Sequence, residues 1–345
     1  MQLGNNLDYA GDPTTSAALA SVRERAGVDV MWVSEAWGFD APTMMGYLAA
    51  KTERLQVGSD IMNVFSRTPS AMAQTAAGLD NVSGGRAILG LGASGPQVVE
   101  GFHGVPYTRP LSRVRDTVEV IRKVLRRDEP LVHAGATVTI PLPEEQGTGL
   151  GKPLKLINHP ERPTLPIFLA SVTNASVAMT AELADGWLPA FFIPERAAEA
   201  YREPLAKGLA KRDPGLGPLA IAAGGFLAVA EGEERVRMLD RSRAQLALYI
   251  GGMGARTKNF YNDLFVSYGY ADEARLIQDL FLDGKKAQAE AAIPLTVLEN
   301  ANLVGSEAFI RERIAAYDEA GVTILNANPL VDDPELLSKV KSWLP

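Results

Sequence analysis

The residues able to do chemistry recur just after short apolar runs. Asn5, Asn6 and Asp8 follow the first run, Glu35, Trp37 and Asp40 the second, and Asp60 and Asn63 the third. Ala93, Ser94, Gly95, Pro96 and Gln97 follow the fourth, Ser171, Val172, Thr173 and Asn174 the fifth, and Asn326 and Asn328 the last. Glu35 directly ends the buried-type run Val30-Met31-Trp32-Val33, so its carboxylate is expected to face a shared mouth; a structural ion pair is the competing account. Gly90-Leu91-Gly92-Ala93-Ser94-Gly95 formally matches G-x-G-x-x-G. It follows the fourth run instead of the first, and the acids beyond it, Asp116 and Glu119, fall inside a helical pattern, so a dinucleotide fingerprint is not supported. A glycine-rich turn, whose backbone N–H groups and Ser94 hydroxyl approach a phosphate or another polar cofactor group, fits better; a merely tight turn is the bland alternative. Arg67, Arg86, Arg109, Arg113 and Arg115 lie nearby in sequence, where they either meet an anionic tail or form an ordinary charged surface.

These positions matter only if the fold brings them together. Apolar runs alternate with helix-period segments over 3–8, 28–35, 55–62, 86–92, 166–171, 187–192, 219–229 and 322–326, which makes eight strands. The clearest helix, over 112–127, carries Val114, Val118, Ile121 and Leu125 on one stripe opposite a charged face. Further helices are expected over 174–184, from Pro194, over 233–249, over 307–320 and from Pro334. No Pro/Ser-rich linker separates the halves. The order predicts an α/β fold, a single (β/α)₈ TIM barrel over residues 1–345, with insertions at about 128–166 and 251–294. The first insertion should contain a hairpin near 132–140, and the second an aromatic cluster of Phe260, Tyr261, Phe265, Tyr268, Tyr270 and Phe281, read as packing. In such a barrel the C-terminal strand ends build the site, which is where the polar residues named above fall.

Composition narrows the function classes. Of 345 residues, 46% are hydrophobic and 22% charged, enough for a large core. The net charge of -7 and the scattered basic residues argue against nucleic-acid binding. No cysteine is present, so disulfides, thiolate catalysis and Cys-ligated metals are excluded, and His103, His133 and His159 are the only nitrogen ligands on offer. A metal enzyme is not expected. No membrane span or secretory signal is read in the sequence, which predicts a cytoplasmic location.

Taken in order, Val33-Ser34-Glu35-Ala36-Trp37-Gly38, Gly58-Ser59-Asp60-Ile61-Met62-Asn63 with Arg67-Thr68-Pro69, Gly84-Gly85-Arg86 through Gly90–Gln97, and residues 166–172 with Ala184-Asp185-Gly186-Trp187 resemble the luciferase-like superfamily, specifically its F420-dependent oxidoreductases. The resemblance covers most of residues 1–190. It implies coenzyme F420, with FMN as the alternative cofactor, and a non-prolyl cis peptide at Asp60-Ile61 that backs the deazaflavin ring. It also implies that Asn63, the loop Gly92, Ala93, Ser94, Gly95, Pro96, Gln97 and Val98, and the segment Ala170, Ser171, Val172, Thr173 and Asn174 hold the ring edge, ribityl chain and phosphate. Glu35 takes the place of an acid beside the pyrimidine part of the ring and is the catalytic candidate. Members that oxidise sugar phosphates have His after that acid and an acidic residue in the fourth loop; Ala36 and Ser94 stand there instead, so that activity is not implied. The likeness implies a homodimer acting on a small organic molecule by hydride transfer, with an FMN-dependent monooxygenase or a non-catalytic flavin-binding relative as rival readings.

Overall fold

A computed structural model describes residues 1–7 and 12–345; Asp8, named above, lies outside the described residues. Eight parallel strands carry the architecture: β1 Gln2–Asn6, β2 Val30–Val33, β3 Gln56–Ser59, β4 Ala87–Gly92, β5 Ile167–Ala170, β6 Gly186–Leu188, β7 Ala220–Val229 and β8 Ile324–Pro329. Each pairs with the next, and β8 returns to β1 through Gln2↔Ile324, Leu3↔Leu325 and Gly4↔Asn326, which closes the TIM barrel.

Closure buries every strand on both faces, which is why these segments read as continuous apolar runs. The side chains alternate nonetheless. Val30, Trp32, Ile88, Phe168, Leu188, Ala222 and Ile324 form the plug inside the barrel. Met31, Val33, Leu89, Ile167 and Leu169 point outward into the larger core shared with the helices. Trp32 dominates the plug: its ring lies 5.6 Å from that of Phe168, and its Nε1 donates to Asn326 Oδ1 at 2.9 Å, so the indole N–H is not orphaned in the interior.

The outer helices begin and end on legible chemistry. Thr68 caps the helix Pro69–Ser83 by accepting from the Ala71 N–H, and Gly84 closes it at φ 62. Pro110–Arg126 buries Val114, Val118, Ile121 and Leu125, as their spacing predicted, but starts two residues early because Pro110 supplies a first-turn proline. Within the first insertion, His133–Ala134 pairs antiparallel with Thr139–Ile140. The chain then returns to β5 past Arg162, whose guanidinium binds the buried Asp80 carboxylate and the Ala87 carbonyl, tying the excursion back to the barrel.

Four expectations need correction. The third strand does not run unbroken over 55–62: β3 stops at Ser59, and Met62–Asn63 pairs separately with Leu91 and Gly92. The sixth does not reach 192, because it ends at Leu188 and Phe191 takes φ 49, which no strand accommodates. The helix over 233–249 divides into Gly232–Asp240 and Arg243–Ala247, followed by a π-turn at Leu248–Gly252. Gly90 and Gly92 belong to β4 itself and not to a turn.

Candidate active site

All eight strands are parallel, so their C-terminal ends open on one mouth. At the end of β1, the Asn6 N–H donates to Asn328 Oδ1 near the end of β8 at 2.8 Å, and Asn6 Nδ2 donates to Asp60 Oδ2 at 2.9 Å. Asp60 in turn donates its own N–H to the Val33 carbonyl at 2.7 Å. Burial pushes the Asp60 carboxyl up to about 6, against the opposing pull of the Asn6 hydrogen bond. The Asp60-Ile61 peptide is cis, as the resemblance implied. Ile61 folds over Gly92, where a Cβ would stand only 2.0 Å from Ile61 Cδ1 and 3.6 Å from Ala170 Cβ. Ile61 from the break after β3, Gly92 of β4 and Ala170 of β5 thus share one wall.

Glu35 lies on the adjoining side, 8% exposed, with Oε1 2.7 Å from Arg67 Nη1. The ion-pair account of Glu35 is therefore correct for one oxygen. Its other oxygen, Oε2, is buried with no hydrogen-bond partner, and so is Asn63 Nδ2. The two are linked: Arg67 also donates to Ser66 Oγ at 3.1 Å, Ser66 Oγ donates to the Asn63 carbonyl at 2.8 Å, and Asn63 Oδ1 accepts from the Phe65 N–H. An unpaired buried acceptor and donor each cost about 1–3 kcal/mol, a cost that a polar ligand bonding to both would offset.

Ser94 is exposed and held at φ 55. Among the described residues its N–H and that of Gly95 donate to no protein acceptor, while the Ser94 carbonyl accepts from the Tyr107 hydroxyl at 3.1 Å. Gly95, Pro96 and Gln97 continue the rim, whereas Val98 turns into the core. Beyond β5, the Ser171 hydroxyl accepts from Thr180 and its carbonyl from Trp187, and Thr173 caps the helix Asn174–Leu183 through a reciprocal pair with Ser176. The Ser171 and Thr173 side chains are thereby committed, and Asn174 is left exposed.

Other candidates separate cleanly. Asp40 caps the helix Ala41–Lys51, and Arg86 spends its guanidinium on the carbonyls of Ala49, Thr52 and Leu55. Arg109 binds the Ala136 carbonyl and Arg115 the Glu182 carboxylate. Arg67 alone of the five pairs with Glu35. The sequence reading names Tyr261 as packing but misses the aromatic wall it joins: Tyr107 packs on Phe65 at 5.4 Å, and Phe191, Tyr249 and Tyr261 meet edge to face at 4.7–5.9 Å. Burial, reinforced by the Tyr249 and Tyr107 phenols, holds the Tyr261 hydroxyl well above the ordinary phenol range. Phe265 and Tyr268 pack in the core as expected.

The closed barrel and its polar mouth define the class, a TIM-barrel enzyme, and the luciferase-like monooxygenase model matches residues 1–323: the chain belongs to that family. A Mycobacterium tuberculosis protein provisionally named coenzyme F420-dependent oxidoreductase is 39% identical over 331 residues, 94% of each chain. Among solved structures, the coenzyme F420-dependent tetrahydromethanopterin reductase of Methanopyrus kandleri superposes with a TM-score of 0.77 at 20% identity, covering 99% of this chain and 98% of that one. An F420-dependent secondary alcohol dehydrogenase gives 0.72 at 16%, covering 100% and 99%. These two likenesses concern the fold.

Proposed function

We propose that this chain is an F420-dependent oxidoreductase that moves a hydride between the deazaflavin C5 and a carbon of a small organic substrate of the enone, imine, ketone or alcohol class. The observation that carries the reading is the pair of buried, unpartnered polar atoms at the mouth, Glu35 Oε2 and Asn63 Nδ2, set beside the Asp60-Ile61 wall. They fit a flat heterocycle whose edge offers both a donor and an acceptor. The choice of F420 over FMN is supported by the mycobacterial relative.

In this reading the cofactor would supply the carbon that gives or takes the hydride, and the protein supplies orientation and exclusion of water. Ile61 and Gly92 back the ring; Glu35 and Asn63 hold its polar edge. Ser94 and Gly95 offer two free N–H groups and a hydroxyl to the anionic tail, with Ala93, Pro96, Gln97 and the Ala170–Asn174 backbone completing the rim. Phe191, Tyr249 and Tyr261 shield the substrate side. Glu35, paired with Arg67, is the catalytic candidate in this reading, an acid at the polar edge of the ring. The whole chain acts as one barrel unit in this proposal, as a cytoplasmic homodimer joined through the helices after β2 and β3, where Tyr47 and Val82 are exposed.

An anaerobic screen of reduced F420 against enones, imines and ketones tests the activity. Oxidation of the cofactor by at least one class is the expected result. No turnover with any class, together with oxygen consumption when reduced FMN is supplied, would transfer the assignment to an FMN-dependent monooxygenase; tight F420 binding without any turnover would favour a non-catalytic relative.

A further inference from the structure

The hairpin of the first insertion is held to the helix Pro110–Arg126 by side chains that the proposed reaction does not use. Asp116 and Glu119 lie three residues apart on that helix and so share a face. His133 opens the hairpin and brings its imidazole to both: Nε2 is 3.4 Å from Asp116 Oδ1 and Nδ1 is 3.9 Å from Glu119 Oε2. One ligand atom from each of the three lies within 4.8 Å of the others.

Three features distinguish this cluster from an ordinary charged surface. The His133 side chain is 3% exposed, yet its Nε2 makes no hydrogen bond. Asp116, equally buried, spends Oδ2 on the Thr137 N–H and hydroxyl, both at 2.6 Å, and leaves Oδ1 with one long 3.3 Å contact from the Ala136 N–H. Gly135 closes one side of the pair, since a Cβ there would stand 2.2 Å from Asp116 Oδ1 and 2.3 Å from His133 Nε2. Glu119 is half-exposed and brings a carboxylate oxygen within 4.8 Å of the other two ligand atoms. None of the helix's nearby cations hydrogen-bonds the cluster: Arg115 makes two 3.0 Å bonds to Glu182, Arg113 reaches the Val64 carbonyl and Lys123 the Val132 carbonyl, although Arg113 and Arg115 still act on Asp116 through space. Two ligands bonded at about 2.0–2.1 Å to a tetrahedral cation sit roughly 3.4 Å apart, which is the Nε2–Oδ1 separation found here.

We propose that Asp116, Glu119 and His133 form a binding site for a divalent transition cation, with zinc as its representative, that clasps the hairpin to the outer helix. One imidazole and two carboxylates suit such an ion, and binding requires only that His133 be neutral and both acids ionised.

The test uses the full chain without a histidine tag, stripped with a chelator, and titrates zinc against a chromogenic competitor. One zinc per chain, bound at micromolar or tighter affinity, is expected, together with a rise in Tm on zinc addition. His133→Asn should weaken binding by about ten-fold or more and abolish the Tm rise, and Glu119→Gln, at a half-exposed position, should weaken it several-fold without disturbing the fold. His159→Asn, whose ring contacts Arg127 outside the cluster, should bind as the natural chain does. Absence of zinc binding by the natural chain, with His133→Asn merely less stable, would show an ion pair alone and overturn the proposal; so would zinc binding that survives both cluster substitutions.

Discussion

Asp60→Asn should make the cofactor-free protein more stable at neutral pH while weakening its hold on F420. The Asp60 carboxyl rises from 3.8 to about 6 because burial disfavours its charge, so the folded state binds a proton more tightly than the unfolded chain does. The associated stability is fully present below pH 3.8 and is lost as the pH rises through 6. At pH 7 the ionised carboxylate therefore burdens the fold by up to about 3 kcal/mol, at ~1.36 kcal/mol per pH unit. Asparagine carries no such charge. Its advantage in denaturant unfolding should be near zero at pH 4, grow between pH 4 and 6, and level off at roughly 1–3 kcal/mol above that. If Asp60 is retained for the site, F420 affinity should fall by at least about ten-fold in the same variant, equivalent to ~1.4 kcal/mol. A variant no more stable at pH 7 than at pH 4, relative to the natural chain, would contradict the burial account.

Gly90→Ala should be among the most damaging single-atom-group additions in the barrel. A Cβ at Gly90 would stand 1.8 Å from the Ser59 carbonyl oxygen and 2.9 Å from its carbon, backbone atoms of β3 that cannot swing aside. Ser59 Oγ also bridges the two strands, donating to the Gly90 carbonyl at 2.8 Å and accepting from the Gly90 N–H at 2.9 Å. The bridge occupies the gap left between the Gly58↔Ile88 and Met62↔Leu91 pairs. Forcing β3 from β4 at this point breaks both bonds and displaces Asp60 next door, for a loss of roughly 3 kcal/mol or more. Gly46→Ala is the control: it lies in a helix with nothing within 4 Å of the added carbon, so it should be neutral or stabilising by up to about 1 kcal/mol. Similar unfolding midpoints for the two variants would refute the packing described.

The eight strands were legible because each is buried on both faces and bounded by turn chemistry, as with Val30–Val33 between Gly27 and the Glu35 loop. What escaped was long-range or conformational. Arg67 stands 32 residues from Glu35, and no local period announces that pair. The break after Ser59 interrupts a segment whose side chains still read as strand, and Phe191 at φ 49 looks like strand material by type. Gly90 and Gly92 suggested a turn, but their lack of a side chain serves close approach by Ser59 and Ile61 within the sheet. The aromatic wall joins Tyr107 before the first insertion to Phe191 after β6 and to Tyr249 and Tyr261 near the second insertion, a meeting that only the closed barrel arranges. Polar residues at strand ends were found, while aromatic residues that meet only across the closed barrel were not.

The most direct measurement is a side-by-side titration of the cofactor-free chain with F420 and with FMN, repeated on Glu35→Gln and Asp60→Asn. The account predicts one F420 per chain at micromolar or tighter affinity, FMN at least about ten-fold weaker, and reduced F420 affinity in both variants. FMN binding as tightly as F420, or F420 binding unchanged by both substitutions, would contradict it.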